Sequence, residues 1–157
     1  FIGVMGKIAT VDSNGPLVLA TGHATPEEAL LVAREGRRQG LQVVVTHGGG
    51  TAPEFQEAAK LGAFLEFNSA AVVRDFSAAK AMVQAIRKVG AASVVVGTDC
   101  GQMSNPHPAD CMGLMAKALR AQGITERELN LMFKENPAKL LGLEPPPPQT
   151  LQTATRQ

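Results

Sequence analysis

Residues 40–68 read GLQVVVTHGGGTAPEFQEAAKLGAFLEFN, and they hold one full structural period. An apolar run at 42–46, rich in Val and too short for a helix, leads to a His and three glycines. A helix-length stretch opens near Thr51 and Pro53 and stops at Gly62, and a second apolar run follows at 63–67. Nearly continuous hydrophobicity in such short runs predicts strands buried on both faces, which is the mark of parallel strands covered by crossover helices.

Outward from this stretch the pattern repeats. Further apolar runs at 17–21 and 93–97 complete four βα units, so the expected fold is α/β with a four-stranded parallel sheet. Thr25, Pro26 and Glu28 supply an N-cap, a first-turn proline and a capping-box carboxylate, and Thr125 with Glu128 repeats the box. Gly40, Gly62, Gly90 and Gly123 stand where helices end. Ala78, Ala81, Met82, Ala85, Ile86 and Val89 form one apolar helical stripe; Cys111, Leu114, Met115, Ala118 and Leu119 form another. A helix is expected near 126–134, with a short one after Asn136 and Pro137. Arg34, Arg37, Arg38, Arg87 and Lys88 fall in last helical turns and read as surface groups.

Composition narrows the function. Of 157 residues 18% are charged, and 15 Lys plus Arg balance 14 Asp plus Glu. That excludes a disordered polyampholyte and a nucleic-acid binder relying on a basic field. No apolar run has the roughly 18 residues a membrane span needs, and residues 1–15 lack the features of a signal peptide. Two cysteines cannot build a disulfide framework, so Cys100 and Cys111 are expected to be reduced thiols and the protein cytoplasmic.

Loops leaving the C-terminal ends of such strands converge on one face, where sites collect. The exits carry Thr21-Gly22-His23, Thr46-His47-Gly48, Glu66-Phe67-Asn68 and Thr98-Asp99-Cys100. By strand alternation His23 shares the face of Leu19 and Thr21, His47 that of Val43 and Val45, and Asp99 that of Val95 and Gly97. If those faces all point inward, two imidazoles and a carboxylate meet, a set suited to a divalent ion, most simply zinc, with a place left for water. Such an ion brings the pKa of its water to about 7, and Asp99 could accept the proton. Glu66 and His107 are candidates for contact with substrate. Gly48, Gly49 and Gly50 precede a helix and could present N–H groups to an anion, although a tight turn explains them as well.

The segments LVLATGHATPEE (17–28), VVVTHGG (43–49), VVVGTDCGQ (94–102), NPHP (105–108) and ENPAKLLGL (135–143) together resemble the C-terminal half of a metal-dependent hydrolase of the amidohydrolase superfamily, in its poorly characterised branch of cytosolic hydrolases. That resemblance implies the fifth to eighth units of a (β/α)₈ barrel. His23 and His47 would be the fifth- and sixth-strand metal ligands, Asp99 the eighth-strand carboxylate that binds metal and handles the proton, and Glu66 a seventh-strand substrate contact. The family's first-strand His-x-His pair is absent from the sequence, and a whole barrel runs to roughly 250 residues.

The expected organisation is an irregular segment at 1–15, a half-barrel hydrolase-like domain at 16–143 and a Pro-rich disordered tail at 144–157. The chain reads as a piece of a longer hydrolase that activates water against a C–N, ester or phosphate-ester bond of a small molecule, with little catalysis on its own. The partner expected is a missing N-terminal half or a second copy, with no nucleic acid and no membrane. The competing readings are a non-enzymatic α/β module that binds a small anion or serves in assembly, and a degenerate subunit that completes a barrel with a partner chain.

Overall fold

The computed structural model describes residues 17–143, so the expectations for 1–15 and 144–157 lie outside the described residues. Four parallel strands, β1 (Val18–Ala20), β2 (Gln42–Val45), β3 (Phe64–Asn68) and β4 (Val94–Gly97), pair in sequential order. Sequential pairing with helical crossovers is how neighbouring strands of a (β/α)₈ barrel are arranged. The α/β fold expected from the apolar runs is therefore present, with β1 trimmed to three residues.

Helix α1 (Pro26–Arg38) follows β1, α2 (Pro53–Lys60) follows β2, and α3 (Ser69–Arg74) and α4 (Ala78–Val89) follow β3. After β4 come α5 (Pro108–Ala121), α6 (Glu126–Asn130), a π turn at Leu131–Glu135 and α7 (Asn136–Leu140). Both capping boxes form as the sequence predicts, with Thr25 and Thr125 each exchanging hydrogen bonds with the Glu three residues on. Gly40, Gly62, Gly90 and Gly123 all take positive φ.

Several elements depart from expectation. Helix α3 starts directly at the end of β3, without a loop to announce it. Its fully buried Ser69 donates from Oγ to the Thr98 carbonyl at 2.8 Å. The Ala70 N–H donates to the same oxygen at 3.1 Å. The two helices expected after residue 125 run on without a break, and the π turn lies where Pro137 withdraws a backbone donor. Arg37 and Arg87 are more than surface charges: Arg37 donates to the carbonyls of Leu41 and Leu61, and Arg87 to that of Gly123. Cys100 and Cys111 are joined as a disulfide, not held as thiols. The bond ties the exit of β4 to the first turn of α5 and removes the thiol argument for a cytoplasmic protein. Among the described residues no helix is long and apolar enough to cross a membrane.

Register decides the two faces of the sheet. Leu19 pairs with Val43, Val45 with Leu65, Leu65 with Val94 and Phe67 with Val96, so these side chains share one face. They are buried against Ala33, Ala58, Ala85 and Ala118 of the helices. The contact is close. A Cβ on Gly36 of α1 would lie 2.8 Å from Val43 Cγ2 and 2.9 Å from Leu19 Cδ2, so a glycine is what lets the helix settle on β1 and β2. The opposite face carries Val18, Val44, Phe64 and Val95, packed with Leu140 of α7. Val95 thus stands on the other side of the sheet from Leu19, Val43 and Leu65, and the shared-face argument that aligned Asp99 with the two His residues fails at this point.

Candidate functional site

Two threonines bring the first two strand exits together. The Thr46 N–H donates to Thr21 Oγ1 at 3.1 Å, and the Gly22 N–H donates to Thr46 Oγ1 at 3.2 Å. With Thr21 N also donating to the Val44 carbonyl, the residues after β1 and β2 are clamped side by side. His23 and His47 follow, and their Nε2 atoms are 3.0 Å apart with ring centroids at 4.6 Å.

His47 does not point where strand alternation sends it. Its φ is +54°, which turns the side chain away from the helix-covered face of Val43 and Val45 and toward the polar end of β3. There its N–H donates to Glu66 Oε2 at 3.4 Å, and its Nδ1 is in contact with Asn68 Nδ2. Gly97 of β4 makes room for this group: a Cβ there would lie 2.8 Å from Glu66 Oε1 and 3.1 Å from Asn68 Oδ1. Asn68 Oδ1 is buried without a hydrogen-bond partner. His23, His47, Glu66 and Asn68 therefore form one cluster at the C-terminal ends of three neighbouring strands.

Asn68 was legible only as a strand-exit residue. The signal was present in β3, FLEFN, where Glu66 and Asn68 occupy alternate positions between buried Leu65 and Phe67 and so share the face away from the helices. Glu66 itself was expected against substrate; here its carboxylate holds the backbone of His47.

Asp99 is exposed at the exit of β4, with φ of +50°. Among the described residues no three or more His, Cys, Asp or Glu side chains are gathered closely enough to hold a metal ion. The structure thus brings His23 and His47 together and leaves Asp99 outside their cluster. His107 is exposed and its Nδ1 accepts from the Ala109 N–H, so it caps α5. Packing accounts for the glycine run: a Cβ on Gly48 would meet Leu65 at 3.1 Å, on Gly49 the Phe67 ring at 3.2 Å and on Gly50 Phe55 at 2.9 Å.

The His pair fits part of a metal site. Two nitrogens each about 2.05 Å from one tetrahedral zinc stand roughly 3.3 Å apart, close to the 3.0 Å separation of the two Nε2 atoms. The pair supplies two ligand positions; a ligating imidazole commonly donates its second N–H to a neighbouring acceptor, and the group that lies against Nδ1 of His47 is the Asn68 carboxamide.

A family described as being of unknown function (DUF6282) matches residues 4–66. The matched stretch includes His23 and His47, and ends before Asn68 and Asp99. No curated protein matches the chain. Among solved structures, the chain is similar to a Pseudomonas putida crystal structure described as that of a 2-pyrone-4,6-dicarboxylic acid hydrolase. The identity is 14%, covering 92% of this chain and 68% of that one, with a TM-score of 0.49. Neither likeness assigns an activity to this chain.

Proposed function

We propose that the chain is the C-terminal part of a metal-dependent hydrolase, resembling the amidohydrolase superfamily, that acts on a C–N, ester or phosphate-ester bond of a small molecule. The observation that carries this reading is the approach of His23 and His47 through their Nε2 atoms at two adjacent strand exits. A divalent ion, most simply zinc, supplies acidified water and polarises the substrate's oxygen when bound. His23 and His47 would hold it; Asp99 stands outside their cluster, and the third ligand position and the acceptance of the water's proton that the resemblance implies for it would need the β4 exit to close toward the two imidazoles. Glu66 keeps the backbone of His47 in its left-handed turn, and Gly97 leaves the space that Glu66 needs. Two imidazoles and one carboxylate make a partial set, so the full enzyme draws on further protein, either an N-terminal half or a partner copy.

Zinc titration by calorimetry tests the reading. The wild-type chain is expected to bind one ion, and a His23→Ala, His47→Ala double variant to bind at least about tenfold more weakly. Both side chains are exposed, so the fold should survive the change. Equal or absent binding in the two proteins would remove the metal from the proposal.

A further inference from the structure

We propose that Cys100 and Cys111 are a redox-active pair: a dithiol reduces their bond while the chain stays folded, and reduction frees the exit of β4. The proposal does not depend on the metal reading above. Every residue between the two cysteines except Asn105 is exposed, and regular structure resumes only at Pro108. The two buried cysteines lie with Ala70 and Val73 of α3 in a small cluster of their own. The larger core between sheet and helices holds Val94 and Val96 of β4 and Met115, Ala118 and Leu119 of α5. Both ends of the loop therefore stay anchored when the bond is cut, and opening of the loop and the short α3 is enough to admit a thiol.

The surroundings suit the reduced state as well as the bonded one. Cys111 Sγ is 3.5 Å from the Pro106 carbonyl oxygen, and Cys100 Sγ is 3.6 Å from Ser69 Oγ. A carbonyl oxygen only accepts, so a Cys111 thiol has an acceptor in place. Ser69 gives its one hydroxyl proton to the Thr98 carbonyl, which leaves its lone pairs to accept from a Cys100 thiol. Neither sulfur has a proton to donate until the bond is reduced. Cys100 stands between exposed Asp99 and Gly101, so attack falls there. One thiolate of the dithiol bonds to Cys100 Sγ, the Cys100–Cys111 bond breaks, and its electron pair leaves on Cys111 Sγ, which takes a proton from water. The second thiolate then bonds to its partner sulfur, and Cys100 Sγ leaves and is protonated. Two electrons and two protons reach the pair, and the dithiol departs as a cyclic disulfide. The Thr98 carbonyl stays pinned by Ser69 and Ala70, so the freed segment begins at Asp99.

Treating the whole chain with dithiothreitol without denaturant, then counting thiols and recording ¹H–¹⁵N NMR, tests the proposal. Expected are both thiols free, an unchanged far-UV circular dichroism spectrum, and lower heteronuclear NOE values at Gly101, Gln102 and Ser104. Glutathione disulfide should restore the starting state. In Ile86→Val, which loosens the larger core, the reduction rate should stay within about twofold of wild type, because the opening is local. In Ser69→Ala the ratio of dithiol to disulfide in a glutathione buffer should fall by about twofold or more, since the reduced form loses an acceptor. The bond that Ser69 gives to Thr98 is common to both forms and cancels in that ratio. A reduction rate that rises in step with the stability lost in Ile86→Val, loss of the fold on reduction, an unchanged loop NOE, or an unchanged ratio in Ser69→Ala overturns the proposal.

Discussion

Among the non-glycine residues described, His47 and Asp99 take positive φ, at +54° and +50°. Left-handed backbone disfavours most side chains, and His and Asp are among those that tolerate it. Both stand at strand exits, where such conformations often serve a site. Asp99 has no side-chain hydrogen bond or ion pair among the described residues, so its conformation should cost stability with no local return. Asp99→Gly is therefore expected to raise the urea midpoint by an amount equivalent to up to about 1 kcal/mol while removing the carboxylate assigned to the proton. A lower midpoint would mean that the carboxylate has a structural partner.

At the scale of elements, β4 and the helices after it are fastened by side chains as well as by the sheet ladder. Asn136 at the start of α7 donates from Nδ2 to the Ala91 and Val94 carbonyls at 2.8 and 2.6 Å. Glu128 closes the capping box of α6, and the Thr125 backbone N–H, the Thr125 hydroxyl and Arg87 hold its carboxyl below the usual range. A carboxyl whose folded pKa is depressed stabilises the fold above its unfolded value and loses that contribution as pH falls through the folded one. Acidification below about pH 4.5 should thus open the start of α6 before the sheet unfolds. Amide protection at Thr125 and Glu128, taken relative to the unstructured exchange rate at each pH, that falls at acid pH in wild type and is already low at neutral pH in Glu128→Ala is the expected result. Unchanged exchange in Glu128→Ala would show that the box contributes nothing.

For the whole molecule, the consequence of four strands in sequence is two sheet edges, β1 and β4, among the described residues. Parallel edges with unpaired backbone groups invite another chain, and the ligand set proposed above would be incomplete on this chain alone. The purified chain is expected to show dimers or larger species in light-scattering chromatography. A sharp monomer peak at high concentration would remove the second-copy version of the proposal and leave the N-terminal-half version.

What the sequence determined by itself was local. Helix caps, terminal glycines and the alternation of Val-rich runs with amphipathic stretches depend on residues within a few positions of one another, so the four βα units and the places of His23 and His47 at the exits of the first two strands were legible in the order of residues. The tertiary structure decided what depends on register and on the sign of one dihedral angle. Strand pairing set Val95 across the sheet from Leu19 and Val43, a left-handed turn swung His47 toward Glu66 and Asn68, and folding of the 101–107 loop brought Cys100 to Cys111. Those outcomes arise from contacts between distant segments, which no local pattern encodes.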